Sequence, residues 1–371
     1  MNGFKRLFRF RWKDLRYIDY PLIITVLTVV FFGIYNILIP TRNNYGTYYS
    51  RMQLLFLAVS LITLVVIIAL DYKKIIPMLP AFYWIVNILL VGVLFTDSRG
   101  GASGWFQLGP VTVQPAEFAK LSILLITAKN MSDIKGNIND LRNFIKVTGY
   151  ALLPMLLMML QPEMGLTMVS FFMVLSIYFI MGLKLRVIVG GFAFLIAGIV
   201  FALSTSFIPD HWRSRIFAFL SLSGGDSGYD TFQLDTARIS IGSGQLSGAE
   251  SPGYYNWIPV NYTDFIFAVI GENFGFLGAM GLLLAFVIIL WRTLVITRRG
   301  QDVFSQCIGA GFFGLLLFSI LQNIGMTIGM MPISGITLPF VSYGGSSLLT
   351  NMIALGVVLN VGRRGREVRN R

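Results

Sequence analysis

Ten apolar runs, each long enough to cross about 30 Å of hydrocarbon, leave this chain little choice of fold. They lie near residues 20–39, 52–70, 75–95, 115–131, 145–161, 165–183, 187–208, 265–291, 304–330 and 346–362. A helix satisfies its own backbone hydrogen bonds, so runs of this length are helical in lipid. The fourth and fifth runs are the weakest, being short or carrying polar residues. Only 12% of residues are charged and the mean hydropathy is +0.72, against roughly 25% charged in soluble domains. The sequence therefore predicts an all-α polytopic membrane protein, a single membrane-embedded domain over residues 1–371 with about ten transmembrane helices.

Loop charges orient those spans. With both termini placed in the cytoplasm, the inner segments hold 22 Lys and Arg residues and the outer segments hold six, namely Arg42, Arg51, Arg99, Arg213, Arg215 and Arg238. Such a bias, alternating loop by loop, is the positive-inside pattern of inserted helices. The net charge of +12 thus reflects membrane orientation and not nucleic acid binding. The opening "FKRLFRFRWK", within residues 1–19, reads as a basic interfacial segment lying on anionic lipid. The first apolar run lacks a small-residue cleavage site and is expected to stay as a span. A lone Cys307 excludes an intrachain disulfide, and a lone His211 without cysteine partners argues against zinc. "GSGQLSG" at 242–248 only loosely resembles a phosphate loop and reads as a flexible turn.

Residues 209–263 form the one large outer loop, between the seventh and eighth spans; its aromatics and the apolar "ARISIGSGQL" suggest that it folds back on the membrane. It ends at Asp264, which sits against the start of the eighth apolar run, with Glu272 inside that run. Carboxylates at membrane depth are costly and mark candidate sites, although an acid at a helix N-terminus is also favourable in its own right. Three further stretches fall on the same side. "SRGGASGWFQLGPVTVQPAEFAK" (98–120) suggests a re-entrant or interfacial piece, leading to Glu117 and Lys120 on one helix face. "LQPEMG" (160–165) exposes Glu163, and "GMMPISGITLPFVSYGGSS" (329–347) offers hydroxyls and backbone amides without charge. Acids near Arg51, Arg99 and Lys120 suit an amphipathic substrate with an anionic head and a lipid tail. Glu272, turned about 80° from Asp264 on a 3.6-residue helix, is expected to contact a neighbouring span.

These stretches, "WFQLGPVTVQPAEFAK", "QPEMG", "IGSGQLSG", "WIPVNYTDFIFAVIGENFG" and "NIGMTIGMMPISGITLPFVSYGGSS", resemble the SEDS family of bacterial shape, elongation, division and sporulation proteins, most closely its RodA branch. The chain departs from the family pattern at Gly104, often basic there, at Glu163, commonly Asp, and in "PVNY" before Thr263. The resemblance implies a peptidoglycan glycosyltransferase that polymerises lipid II on the outer face of the bacterial cytoplasmic membrane; among elongation, division and sporulation, the short termini lean toward elongation. It implies a class B penicillin-binding protein as partner, alongside membrane lipids. It makes Asp264 the essential acid, with Glu117, Lys120 and Trp105 carried over from the family motifs. Gln114, Glu163, Arg51 and Ser342 are further candidates for the cavity. Asp264 is then a general base, or the ligand of a divalent cation, Mg2+ or Mn2+, with Lys120, arginines or the metal stabilising the leaving pyrophosphate. Glu117 and Lys120 read either as an orienting pair in the cavity or as a bridge locking two helices. A transporter flipping the same lipid, or a scaffold without chemistry, are the alternative readings. A transporter needs access from both sides, and the short inner loops favour a one-sided enzyme.

Overall fold

The structure, a computed structural model, describes residues 16–96, 104–109, 111–161, 163–204 and 232–369. The candidate Arg99, the lone His211 and most of the basic segment 1–19 lie outside the described residues. Each expected apolar run coincides with a helix. In chain order these are α1 (Tyr20–Tyr45), α2 (Tyr48–Ala69), α3 (Leu79–Val93), α4 (Pro115–Asp133), α5 (Leu141–Leu160), α6 (Met164–Ile180) and α7 (Leu185–Ser204). After α8 (Phe232–Ser243) come α9 (Ile266–Arg298), α10 (Val303–Thr327) and α11 (Gly345–Arg369). A short helical turn, Tyr72–Ile75, and a 3-10 turn extend α3 into an apolar stretch of 22 residues. Among the described residues, seven helices are long and apolar enough to cross a membrane, and α6 is a shorter apolar helix.

Caps explain several of the boundaries. Asp19, Asp140 and Asp302 each accept backbone N–H groups at the start of α1, α5 and α10, supplying orphan donors with an acceptor. α10 is the central helix: 72% of its spanning window is buried, against 28% in α2 and α5. It packs against α4, α6, α9 and α11, while α2 lies along α11 and α1 along α9. The exposed Ile62, Ile88 and Val287 on α2, α3 and α9 are the lipid-facing flank. At the far end from the cavity described below, Arg364 binds Asp71 at 2.6 Å and the Tyr72 hydroxyl donates to Asp302 at 2.8 Å. Burial alone would raise the Asp71 carboxyl; the hydrogen bond and charge of Arg364, together with the Lys73 backbone N–H and the charge of Lys74, outweigh it and hold the group below its ordinary value.

Three expectations take a more definite form. The expected re-entrant or interfacial piece before α4 contains an antiparallel hairpin, β1 (Phe106–Leu108) with β2 (Val111–Val113), pairing Phe106 with Val113 around Gly109 at φ +62°. The "GSGQLSG" segment ends α8 in a turn that is hydrogen-bonded to α9. α9 is interrupted at Gly275, whose φ 59° and ψ −158° belong to a region essentially restricted to glycine. The two N–H groups released there, of Phe276 and Leu277, donate to the carbonyls of Gln245 and Leu246 at 2.9 and 3.0 Å. In return the Glu272 carbonyl accepts from Ala249 N at 2.8 Å. The loop thus splices the broken helix.

Glu272 is the third. It is fully buried and does not line the cavity described below, and its hydrogen bonds go to α8 and the turn that follows it and not to a neighbouring span. Its carboxylate accepts from Ser240 Oγ (2.5 Å) and from the backbone N–H groups of Gly253 (2.5 Å), Tyr254 (2.8 Å) and Tyr255 (2.8 Å). These are the orphan donors at the start of the 3-10 turn Tyr254–Trp257. The described half of the large loop is therefore a folded cap, α8 and this turn, pinned to α9 by one buried acid.

Candidate functional site

Four helices begin at one cavity of about 580 Å³. Gln114 is the residue before α4 and Glu117 lies in its first turn, Glu163 immediately precedes α6, Asp264 stands just before α9, and Gly344–Ser347 open α11. Trp105 and Thr112 of the hairpin segment, Thr263, Ser334, Gly335, Thr337 and Tyr343 complete the wall with Val260 and Gly345. Helix N-termini carry partial positive charge, roughly half an elementary charge each, so the cavity combines acidic side chains with the positive ends of four dipoles. That pairing suits an anionic group held through backbone amides beside a carboxylate.

Several wall residues are held from behind. The Asp264 backbone carbonyl accepts from Asn323 Nδ2 at 2.7 Å, and the same amide donates to Ile336 O at 2.7 Å, so α10 ties the start of α9 to the 329–344 loop. Gly335, at φ +69°, passes close to Asp264: a Cβ there would stand 3.7 Å from Asp264 Oδ2. Gln114 Nε2 donates to Glu163 Oε1 at 2.7 Å, and Gln114 N donates to Ser346 Oγ at 3.1 Å. A Cβ at Gly104 would lie 2.7 Å from Glu163 Oε1, so the longer acid at 163 fills the space opened by glycine at 104. The Tyr343 phenol is pushed up to about 12, by burial first and by Tyr48 and Tyr49 next, and is neutral at physiological pH.

Five of the eight candidate residues, Asp264, Glu117, Glu163, Gln114 and Trp105, share this wall. Lys120 does not: its Nζ binds Glu117 Oε2 at 2.7 Å behind the wall, with both side chains buried. Thr350 of α11 donates to the same carboxylate oxygen at 3.0 Å, so the pair bridges α4 to α11. Ser342 is buried behind the wall, accepting from Leu338 N and donating to Thr263 O, which shapes the loop beneath Asp264. Arg51 is exposed on the first turn of α2 and lies outside the wall. Arg238 is occupied with the carbonyls of Ile328 and Gly329. No Lys or Arg among the described residues lines the cavity; there its positive character comes from helix N-termini, and the expectation for Arg99 falls outside the described residues. Sequence reasoning missed Asn323 and Thr350; the only signal was a buried polar residue inside an apolar run.

The Glu117–Lys120 pair yields a direct test. Removing one partner leaves a buried charge uncompensated, typically costing about 3–5 kcal/mol. Lys120→Met alone is expected to destabilise by that order in a thermal unfolding assay, whereas Glu117→Gln combined with Lys120→Met recovers more than half of the loss. An additive double-mutant cycle would show that the bridge contributes nothing.

A divalent cation also has to be weighed against these residues. Among the described residues no three His, Cys, Asp or Glu side chains group to hold a metal ion. Mg2+, however, is commonly held by one or two carboxylates together with substrate phosphates and water. Asp264 and Glu163 on one wall fit that mode of binding and not a dedicated protein cage.

Apolar flanks and a polar cavity at one end of the helices define a multi-pass membrane protein. A family profile described as cell cycle protein, that of FtsW, RodA and SpoVE, matches residues 17–367, and the chain belongs to this family. It is 31% identical over 330 residues to stage V sporulation protein E of Bacillus subtilis, covering 86% of this chain and 88% of that protein. It is 32% identical over 363 residues to the peptidoglycan glycosyltransferase MrdB of Helicobacter pylori, covering 94% and 90%. Among solved structures, it superimposes with a TM-score of 0.80 and 28% identity on a chain from work on the coordination of polymerization and crosslinking by a peptidoglycan synthase complex, covering 94% and 98%. The rod shape determining protein RodA of Thermus thermophilus matches with a TM-score of 0.70 and 28% identity, covering 93% and 97%.

Proposed function

We propose that this protein is a peptidoglycan glycosyltransferase of the RodA type, polymerising lipid II at the outer face of the bacterial cytoplasmic membrane. The observation that carries the reading is the convergence of four helix N-termini with Asp264 on one cavity, in a chain whose relatives include named peptidoglycan glycosyltransferases. The even-numbered spans of the ten-span topology start on the outer face, and α4, α6, α9 and α11 are the fourth, sixth, eighth and tenth. Their shared cavity supports that topology, with both ends cytoplasmic. A class B penicillin-binding protein is the proposed partner, since a structural neighbour comes from a complex that both polymerises and crosslinks.

Asp264 is the proposed general base. It takes the proton from the 4-hydroxyl of the N-acetylglucosamine on one lipid-linked substrate. The new bond forms between that oxygen and the anomeric carbon of N-acetylmuramic acid on the other. The bond from this carbon to undecaprenyl pyrophosphate breaks with inversion, and the pyrophosphate leaves with the electron pair. The N-termini of α4, α6, α9 and α11 stabilise the charge that develops on it. A bound divalent cation would add Lewis-acid neutralisation at the pyrophosphate, with Asp264 and Glu163 as its protein ligands. Glu117 and Gln114 orient the wall, and the hydroxyls of Thr337, Ser346 and Ser347 face the sugars.

Purified protein given lipid II is expected to form glycan strands, and more of them when a cognate class B penicillin-binding protein is added. A chelator slows synthesis if the cation takes part. Vesicle assays that show lipid II crossing the bilayer without strand formation would establish a transporter instead.

A further inference from the structure

The cavity wall continues outward as a chain of tyrosine rings. Tyr343, part of the wall, lies 4.9 Å from Tyr49, and Tyr49 lies 4.6 Å from Tyr262. Tyr49 in turn meets Tyr45 at 5.1 Å and Tyr48 at 5.4 Å, both edge-on at 79°. Edge-to-face packing fixes the inner rings against one another and leaves the outer two open: Tyr45 is 54% and Tyr48 is 48% exposed. Exposed Arg42 and Arg51 stand one helical turn from them, on the last turn of α1 and the first turn of α2. Nothing in the reaction as derived above uses these residues.

Building on the glycosyltransferase reading, we propose that the Tyr45–Tyr48–Tyr49 face is a saccharide-binding subsite that holds the growing glycan strand as it leaves the cavity. A strand lengthened by one disaccharide must move off the anomeric centre while its next unit is positioned, so it needs a surface contiguous with the wall. Flat rings with a hydroxyl at the rim suit pyranoses, which present apolar C–H faces and equatorial hydroxyls. The two guanidinium groups match the carboxylates of the peptide stems on each muramic acid. Tyrosines also gather at membrane interfaces for their amphipathic character. A belt of that kind needs no continuous path into a polar cavity, and the path through Tyr49 and Tyr343 is what favours a saccharide.

The test reads binding apart from turnover. Asp264→Asn protein in nanodiscs is titrated with a lipid-free, pyrophosphate-free glycan fragment of defined length. It is expected to bind saturably, and Tyr45→Ala with Tyr48→Ala on that background weakens binding about fivefold or more. Tyr45→Trp with Tyr48→Trp, which keeps the rings, retains it and guards against misfolding. In otherwise wild-type protein the alanine pair yields shorter strands from lipid II. Equal binding by the alanine and parental proteins, with unchanged strand lengths, would overturn the subsite and leave the tyrosines as an interfacial belt. Because binding is read without catalysis, failure of the wild type to polymerise would count against the glycosyltransferase reading and not against this result.

Discussion

Asp264→Asn protein is expected to fold normally and to lose glycan polymerisation by about 10²–10⁴-fold, the usual contribution of a positioned general base. The substitution keeps shape and volume but removes the proton acceptor. The backbone at this position is fixed independently: Asn323 holds the Asp264 carbonyl, and Ser342 holds the carbonyl of Thr263. The loop before it is pinned by Glu272. Loss of activity through collapse of the site is therefore not expected, and the thermal unfolding midpoint should move by no more than a few degrees. Strand formation from lipid II, resolved by length on a gel, gives the rate. Glu163→Gln is the informative companion, because it retains the acceptor oxygen for Gln114 while removing charge from the same wall. Under the assignment made here, its loss is much smaller than that of Asp264→Asn. Near-normal synthesis by Asp264→Asn would transfer the base to another wall group and sink the assignment.

The same residues mark how far the sequence could be read. The helices were legible because lipid imposes one requirement, a run of apolar residues with every backbone group paired, and that requirement is written locally. Alternating loop charge then put Asp264, Glu117 and Glu163 on one side, and the structure places them on one wall. Direction around a helix was less legible. The spacing of Glu117 and Lys120 shows that they are neighbours, but which of them faces the cavity depends on where α11 lies. Thr350 settles that by hydrogen bonding the glutamate from behind. Arg51 and Ser342 failed as wall residues for the same reason: proximity to a span end fixes depth and not azimuth. The hairpin at 106–113 escaped notice because three-residue strands are too short to show alternation. Its signal was Gly109, which supplies the positive φ at the turn.

Glycines were the least legible feature, since the sequence records only that a side chain is missing and not what takes its place. Gly244 provides the sharpest case. A Cβ at this position would stand 1.9 Å from Gly271 O and 2.8 Å from its carbonyl carbon, both backbone atoms with no rotamer to yield. Gly244→Ala must therefore push α9 and the loop apart. That strains the bonds from Phe276 and Leu277 to Gln245 and Leu246 that complete the interrupted helix. Overpacking costs about 1–3 kcal/mol and each hydrogen bond lost a further 0.5–1.5 kcal/mol or so. The expected loss is thus about 3 kcal/mol or more, enough to lower the unfolding midpoint clearly. Polymerisation should fall with it, because the same loop and Glu272 set the approach to Asp264. Gly242→Ala, two residues earlier, is the control: nothing lies within 4 Å of its added Cβ, and in a helix alanine is the better residue by up to about 1 kcal/mol. If both alanine proteins unfold at the same temperature, the splice is not holding α9 together. If only Gly244→Ala is weakened, a stretch that reads as a loose glycine loop is a structural joint of the site.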